Sequence, residues 1–315
     1  MAPYNLGYQK DLFILPFDHR GSFEAGLLGP EFSRAGREVT PQELAHLAGY
    51  KRAIYEGFLE GVEKGVPVES AAILVDQKYG EEILADANLR GITTCVTVEK
   101  SGQDEFDFEY GDNFGQRIQD ASPTFAKVLV RYNPEGDAKM NENQCRRLKV
   151  LSDYTHSAGY KFMFELLVPA TKEQLASVGQ DRHAYDLKAR PGLMVRAMKE
   201  LQEAGIEPDV WKLEGMDEPE AAQKVVAQAR FGRRDQVGII ILGRGEDEKR
   251  VDHWLTIGAQ TRGVIGFAVG RTTFWQPLLD LKEGKTSRAQ AVSRIGGNYQ
   301  RIHQLFIKAR AGVVA

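Results

Sequence analysis

"PDVWKLEG", residues 208–215, sets a lysine inside what otherwise reads as a short buried strand, and the reading of that run decides the fold. Side chains alternate along a strand, so Lys212 shares a face with Val210 and Glu214, while Trp211 and Leu213 take the other face and pack against helices. A buried amine is costly unless it is paired or acts as a neutral nucleophile. The rest of the chain has to say which.

Seven similar apolar runs accompany "DVWKL" (209–213): "LFILPF" (12–17), "AAILV" (71–75), "TTCVTV" (93–98), "AKVLVRY" (126–132), "KFMFELLV" (161–168), "GIIIL" (238–242) and "VIGFAV" (264–269). Each leads through a polar turn into an amphipathic stretch, the signature of repeated βα units. Eight such units predict an α/β fold, a single (β/α)8 TIM barrel. A doubly wound sheet uses fewer strands and carries a glycine-rich fingerprint after the first, where this chain has Asp18, His19 and Arg20. No linker rich in Pro, Gly or Ser divides the chain, so residues 1–315 are expected to form one barrel domain, with 1–11 as an N-terminal tail.

Helix ends are marked as well. "TPQE" (40–43) offers Thr40 as N-cap, Pro41 at the first helical position and Glu43 as the return arm of a capping box, opening a helix that runs to about Gly65. Residues 19–39 and 169–190 are long for βα connections, and long βα loops of a barrel lie over the catalytic face and often act as lids.

Hydrophobic residues make up 42% and charged residues 27% of the 315, with a formal net charge of -3. That balance supports a full core and gives no overall electrostatic case for nucleic acid or an anionic membrane, which leaves small molecules as the expected partners. Cys95 and Cys145 are the only cysteines, expected to be inert thiols in a reducing compartment. With no signal-peptide run and no stretch near the ~20 apolar residues of a membrane helix, a cytoplasmic location is expected. The C-terminal "RIGGNYQRIHQLFIKARAG" (294–312) fits packing on its own barrel or on a second copy, so a homo-oligomer stays open.

In a barrel the catalytic face is the C-terminal end of the strands. Asp18, His19 and Arg20 follow the first strand, and Asp76 and Lys78 the second; Lys127 lies in the fourth, Glu165 in the fifth, and Glu214 follows Lys212 in the sixth. If they share the interior, Lys127 would depress the Lys212 pKa by like-charge repulsion and Glu165 would shuttle protons, which suggests a Schiff-base lysine. "GRGED" (243–247) and "GRTTFW" (270–275) end the last two strands, the usual phosphate site of this fold. There Gly243, Gly245 and Gly270 permit close backbone approach, and Arg244 or Arg271 adds a charge-assisted contact. Asp18, His19 and Asp76 are the only plausible metal ligands and lack supporting spacing, so neither metal nor cofactor is expected. His46, His156, His183, His253 and His303 are read as solvated or packed, and the acidity of "FDFEY" (106–110) as a solvated loop.

The pieces "ILPFDHRGSF" (14–23), "KVLVRYNP" (127–134), "FMFELLVP" (162–169), "DVWKLEG" (209–215) and "GFAVGRTTFWQPLLDLKEGK" (266–285) resemble the class I aldolase-like domain fused behind the sugar kinase of bacterial inositol catabolism, from about Asp11 to Tyr299. In motifs alone the chain resembles tagatose-1,6-bisphosphate aldolase and the sulfofructose-phosphate aldolases. The resemblance implies Lys212 as the Schiff-base lysine, with Lys127 and Glu165 matching its strand-four and strand-five partners. Asp18, His19 and Arg20 match an Asp-Gln-Arg, with His19 in place of the glutamine, and Gly270 and Arg271 match a terminal Gly-Arg. The activity implied is a class I aldolase, a lyase cleaving 5-dehydro-2-deoxy-6-phosphogluconate to dihydroxyacetone phosphate and malonate semialdehyde. Two alternatives stay open: an aldolase or transaldolase acting on a sulfosugar or another ketose phosphate, and a non-catalytic sugar-phosphate binding module.

Overall fold

Eight parallel strands close on themselves in chain order in the computed structural model, which describes residues 5–29, 31–32 and 37–312. They are β1 (Leu12–Pro16), β2 (Ala71–Val75), β3 (Thr93–Thr97), β4 (Phe125–Arg131), β5 (Lys161–Leu167), β6 (Val210–Glu214), β7 (Gly238–Leu242) and β8 (Val264–Ala268). The seam pairs β8 with β1 at Leu12↔Gly266. A Cβ at residue 266 would overlap the Leu12 carbonyl, so glycine is what lets the two backbones meet and the barrel close.

Alternation along each strand sorts the apolar side chains into two compartments. Phe13, Leu15, Ile73, Val96, Val128, Phe164, Trp211, Ile239 and Phe267 face outward into the layer shared with the helices. Leu12, Ile14, Leu74, Cys95, Phe125, Met163, Val210 and Ile240 face inward and form a dry floor, with Tyr8 packed against it and its ring edge-on to Phe125 at 5.1 Å. Each such side chain contributes about 1.5–3 kcal/mol on full burial. The floor fills the lower barrel, and the charged inward residues Lys127, Glu165 and Lys212 stand above it, toward the end where the strands finish.

The helix Pro41–Glu63 opens with the capping box expected of Thr40 and Glu43. The C-terminal helix Arg288–Arg310 packs on its own barrel, against that helix, and the Tyr299 hydroxyl donates to the Phe13 carbonyl at 2.6 Å. Both long βα loops turn out to carry helices: Gly21–Leu28 in the first, and Lys172–Ser177 and Arg182–Lys188, capped by Thr171 and Asp181, in the second. Among the described residues no helix is long and apolar enough to cross a membrane.

Candidate active site

Three charged residues stand on the floor of the barrel mouth because of strand register. Glu165 and Lys212 are lateral partners across β5 and β6, and Lys127 lies one inward position lower on β4, whose Leu129 pairs with Glu165. A single oxygen, Glu165 Oε2, lies 2.7 Å from Lys212 Nζ and 2.8 Å from Lys127 Nζ. Both ammonium groups thus converge on one carboxylate oxygen as ion pairs.

The two lysines have different surroundings. Lys127 is fully enclosed and also meets Asp18 Oδ2 at 2.8 Å and Glu99 Oε1 at 2.9 Å. Burial works against its charge, but Asp18, Glu165 and Glu99 outweigh burial and raise its pKa well above the ordinary lysine value. It is a locked ammonium. Lys212 has only the shared Glu165 oxygen among the described residues and opens to a cavity. Three carboxylates surround Lys127, so its charge is locally balanced where it stands beside the Lys212–Glu165 pair.

The carboxylates are tuned apart by the same charges. Burial pushes Glu165 up, yet Lys127 and Lys212 together hold it below its usual value, and the same two lysines hold Asp18 well below the usual carboxylate range. Glu99 goes the other way, because burial exceeds the pull of Lys127 and Arg20. His19 is pushed down to about 4 by burial and by the neighbouring Arg271, Lys212 and Lys51, and its Nδ1 is buried without a hydrogen-bond partner. The imidazole is neutral at pH 7.

Above the trio opens a cavity of about 480 Å³, within the range of small-molecule sites. Asp18, His19, Arg20, Gly243, Arg244, Gly245, Gly270 and Arg271 all border it. At the β8 side the helix Arg271–Lys282 begins, and its N-cap, Gly270, supplies no side-chain cap. Arg271 is exposed and donates to the Arg244 carbonyl at 2.8 Å. Gly245 has φ of +79°, and a Cβ there would overlap the Arg271 guanidinium, so glycine at this position is what gives Arg271 its path across the loop.

Several of the residues named at the catalytic face are turned to partners within the fold. Asp76 caps the helix Gln77–Leu89 through the Tyr79 N–H and pairs with the fully buried Lys51; a helix start and a buried ammonium consume its oxygens. Lys78 points along the outside to Glu24, 3.0 Å away. Glu214 turns away at the strand end, accepting from the Val168 N–H at 3.1 Å and from Arg244 at 3.0 Å. Arg244 borders the cavity, but its guanidinium is spent on Asp186, Glu214 and Glu246 and stacks over Trp254, so only its backbone is available to an anion. Arg20 likewise is engaged by Glu109 at 3.0 Å and the Glu99 carbonyl at 2.5 Å.

Three participants escaped the sequence reading. Glu99 follows β3 with nothing in its spacing to separate it from a solvated loop acid, and Arg131 reads as an ordinary strand end. Asp186 is buried and gathers Arg190, Arg244 and Arg250, tying the fifth loop to the seventh. The "FDFEY" stretch is also more ordered than expected: Phe106 is buried, and Glu109 is the partner of Arg20.

Fold and site together define a (β/α)8 barrel with a lysine-bearing, charge-lined mouth. Solved structures of the same fold include Cgl0159 from Corynebacterium glutamicum (Brevibacterium flavum), 16% identical, TM-score 0.54, covering 92% of this chain and 86% of that one. They also include a Schiff-base-forming fructose-1,6-bisphosphate aldolase, 12% identical, TM-score 0.52, covering 94% of each chain. An archaeal fructose-1,6-bisphosphate aldolase with its catalytic lysine covalently bound to the carbinolamine intermediate is 11% identical, TM-score 0.53, covering 94% of each chain. At these identities the similarity is one of fold. The chain belongs to the family described as "Uncharacterized protein conserved in bacteria (DUF2090)", which matches residues 5–310. No curated protein matches it.

Proposed function

We propose that this protein is a Schiff-base (class I) aldolase acting on a phosphorylated keto sugar acid, with 5-dehydro-2-deoxy-6-phosphogluconate as the leading substrate. The observation that carries the reading is the Lys212–Glu165 pair, 2.7 Å apart at the base of an open cavity. An amine that acts as a nucleophile must shed a proton, and a carboxylate in contact is the shortest route for it.

Glu165 takes the proton from the Lys212 ammonium, and the freed lone pair attacks the substrate ketone. The ketone oxygen takes one proton from the attacking nitrogen and a second back from Glu165 and leaves as water, giving an iminium. A base then removes the proton of the β-hydroxyl, the carbon–carbon bond breaks with its electron pair entering the iminium, and an aldehyde departs. Protonation of the enamine and attack of water release dihydroxyacetone phosphate and restore Lys212. Lys127 stays charged throughout, its field keeping Glu165 ionised between proton transfers. Arg271, the uncapped helix start at Gly270 and the Gly243–Gly245 backbone hold the phosphate.

Borohydride reduction in the presence of substrate is expected to fix one covalent adduct on Lys212, located by peptide mass. Turnover without any adduct would remove the mechanism. A binding module without turnover shares the Lys212–Glu165 ion pair but has no use for an amine opening to the ligand space, which is why catalysis is the preferred reading.

A further inference from the structure

The cations around the cavity differ in whether anything in the fold already answers their charge. Lys127 and Lys212 share Glu165; Arg20 is met by Glu109, and Arg244 by Asp186, Glu214 and Glu246. Arg131 and Arg271, which also border the cavity, have no carboxylate within ion-pair distance among the described residues. Each instead donates to a backbone carbonyl, Arg131 to Gln103 at 3.0 Å and Arg271 to Arg244 at 2.8 Å. Such a bond orients a guanidinium and leaves its charge and its remaining donors to be used.

Their placement is set by topology. With eight strands in chain order around a closed barrel, β4 stands diametrically across from β8. Along β4 the inward positions run Phe125 in the floor, Lys127, Leu129 and then Arg131 at the rim, about 13 Å of strand above Lys127. Arg271 lies just past the end of β8. The Lys212–Glu165 pair sits lower, on β6 and β5. Lys100 adds positive potential on the Arg131 side. Of the acids at that rim, Glu105 is paired with Arg147 at 2.6 Å and Asp104 is exposed, where water screens it.

We infer that Arg131 is a specificity-determining residue that binds a second anionic group, so that the ligand of this cavity carries an anion at each end, a phosphate toward Arg271 and a carboxylate or equivalent anion toward Arg131. This deepens the aldolase reading and rests on it for the choice of ligands. Arg20 is not free for that anion, since Glu109 already meets its charge.

The test compares two ligands that differ in the second anion: 5-dehydro-2-deoxy-6-phosphogluconate, with phosphate and carboxylate, and dihydroxyacetone phosphate, with phosphate alone. Half-saturating concentrations for borohydride trapping are measured for the native chain, Arg131→Gln and Arg131→Lys. Loss of one charge-assisted contact is expected to worsen the phosphogluconate relative to dihydroxyacetone phosphate by about 10–100-fold in Arg131→Gln, with Arg131→Lys recovering part of the ratio. An unchanged ratio in Arg131→Gln overturns the inference while leaving the aldolase standing. If neither ligand is trapped by the native chain, the Schiff-base reading falls; calorimetric binding of the same two ligands then gives the same ratio, and an unchanged value there also overturns the role of Arg131.

Discussion

Lys212 and Glu165 are lateral neighbours on adjacent strands, and their Nζ and Oε2 lie 2.7 Å apart, while the same oxygen is 2.8 Å from Lys127. One carboxylate thus serves an amine that opens to the cavity and one that is fully enclosed. Replacing it as Glu165→Gln keeps the shape and removes the proton acceptor. The rate of adduct formation on Lys212, followed by quenching with borohydride at intervals, is expected to fall by about 10²–10⁴-fold, in line with loss of a general base. An unchanged rate would assign the proton to another group.

Lys127 is a matter of stability as much as chemistry. Lys127→Met leaves Asp18, Glu99 and Glu165 together in the barrel mouth without their shared cation, and about 3–5 kcal/mol of unfolding free energy is expected to be lost at pH 7. The folded pKa values of Asp18 and Glu165 are depressed, so their contribution is present above the unfolded carboxylate value of about 4 and fades as pH falls through the folded ones. Urea midpoints of the two proteins should therefore differ most near neutrality and converge in acid.

His19 gives a second pH dependence of the same sign in a higher window, because its folded pKa is also lowered. Its folded pKa of about 4 lies below the ordinary 6.5, so on acidification the unfolded chain takes up the proton first. Stability from this group is complete above about 6.5 and declines as pH falls toward about 4, by on the order of 3 kcal/mol in all. Denaturation of His19→Gln across that window should show a shallower slope than the native chain. Equal slopes would mean that the imidazole is not held neutral.

At Gly245 the expected effect is on anion binding. Gly245→Ala forces a Cβ into a left-handed backbone position and into the space of the Arg271 guanidinium. Affinity for inorganic phosphate, measured by calorimetry, should drop about tenfold or more as Arg271 is displaced, since a charge-assisted contact is lost. Retention of native affinity would remove Arg271 from the anion site.

The barrel was legible from local pattern. All eight apolar runs became strands, with ends shifted by a residue at most, and alternation put Lys212 on the inner face with Val210. Thr40 and Glu43 announced their helix for the same reason: a capping box is contained in four consecutive residues. Alternation failed at Glu214, because a strand's last side chain is free to follow its best partner, here the Val168 N–H and Arg244.

Sequence by itself determined the repeating units and which polar residues stand near the strand ends, because periodicity and capping depend on neighbours along the chain. Only the tertiary structure decided how the charges are shared: that Lys127 is enclosed by Asp18, Glu99 and Glu165, that Asp186 engages Arg244, and that Arg131 and Arg271 are left without a carboxylate partner among the described residues. The physical reason is that an ion pair depends on distances of a few ångströms between residues far apart in the chain, 109 positions for Lys127 and Asp18, and those distances exist only once strand register has brought the strand ends together.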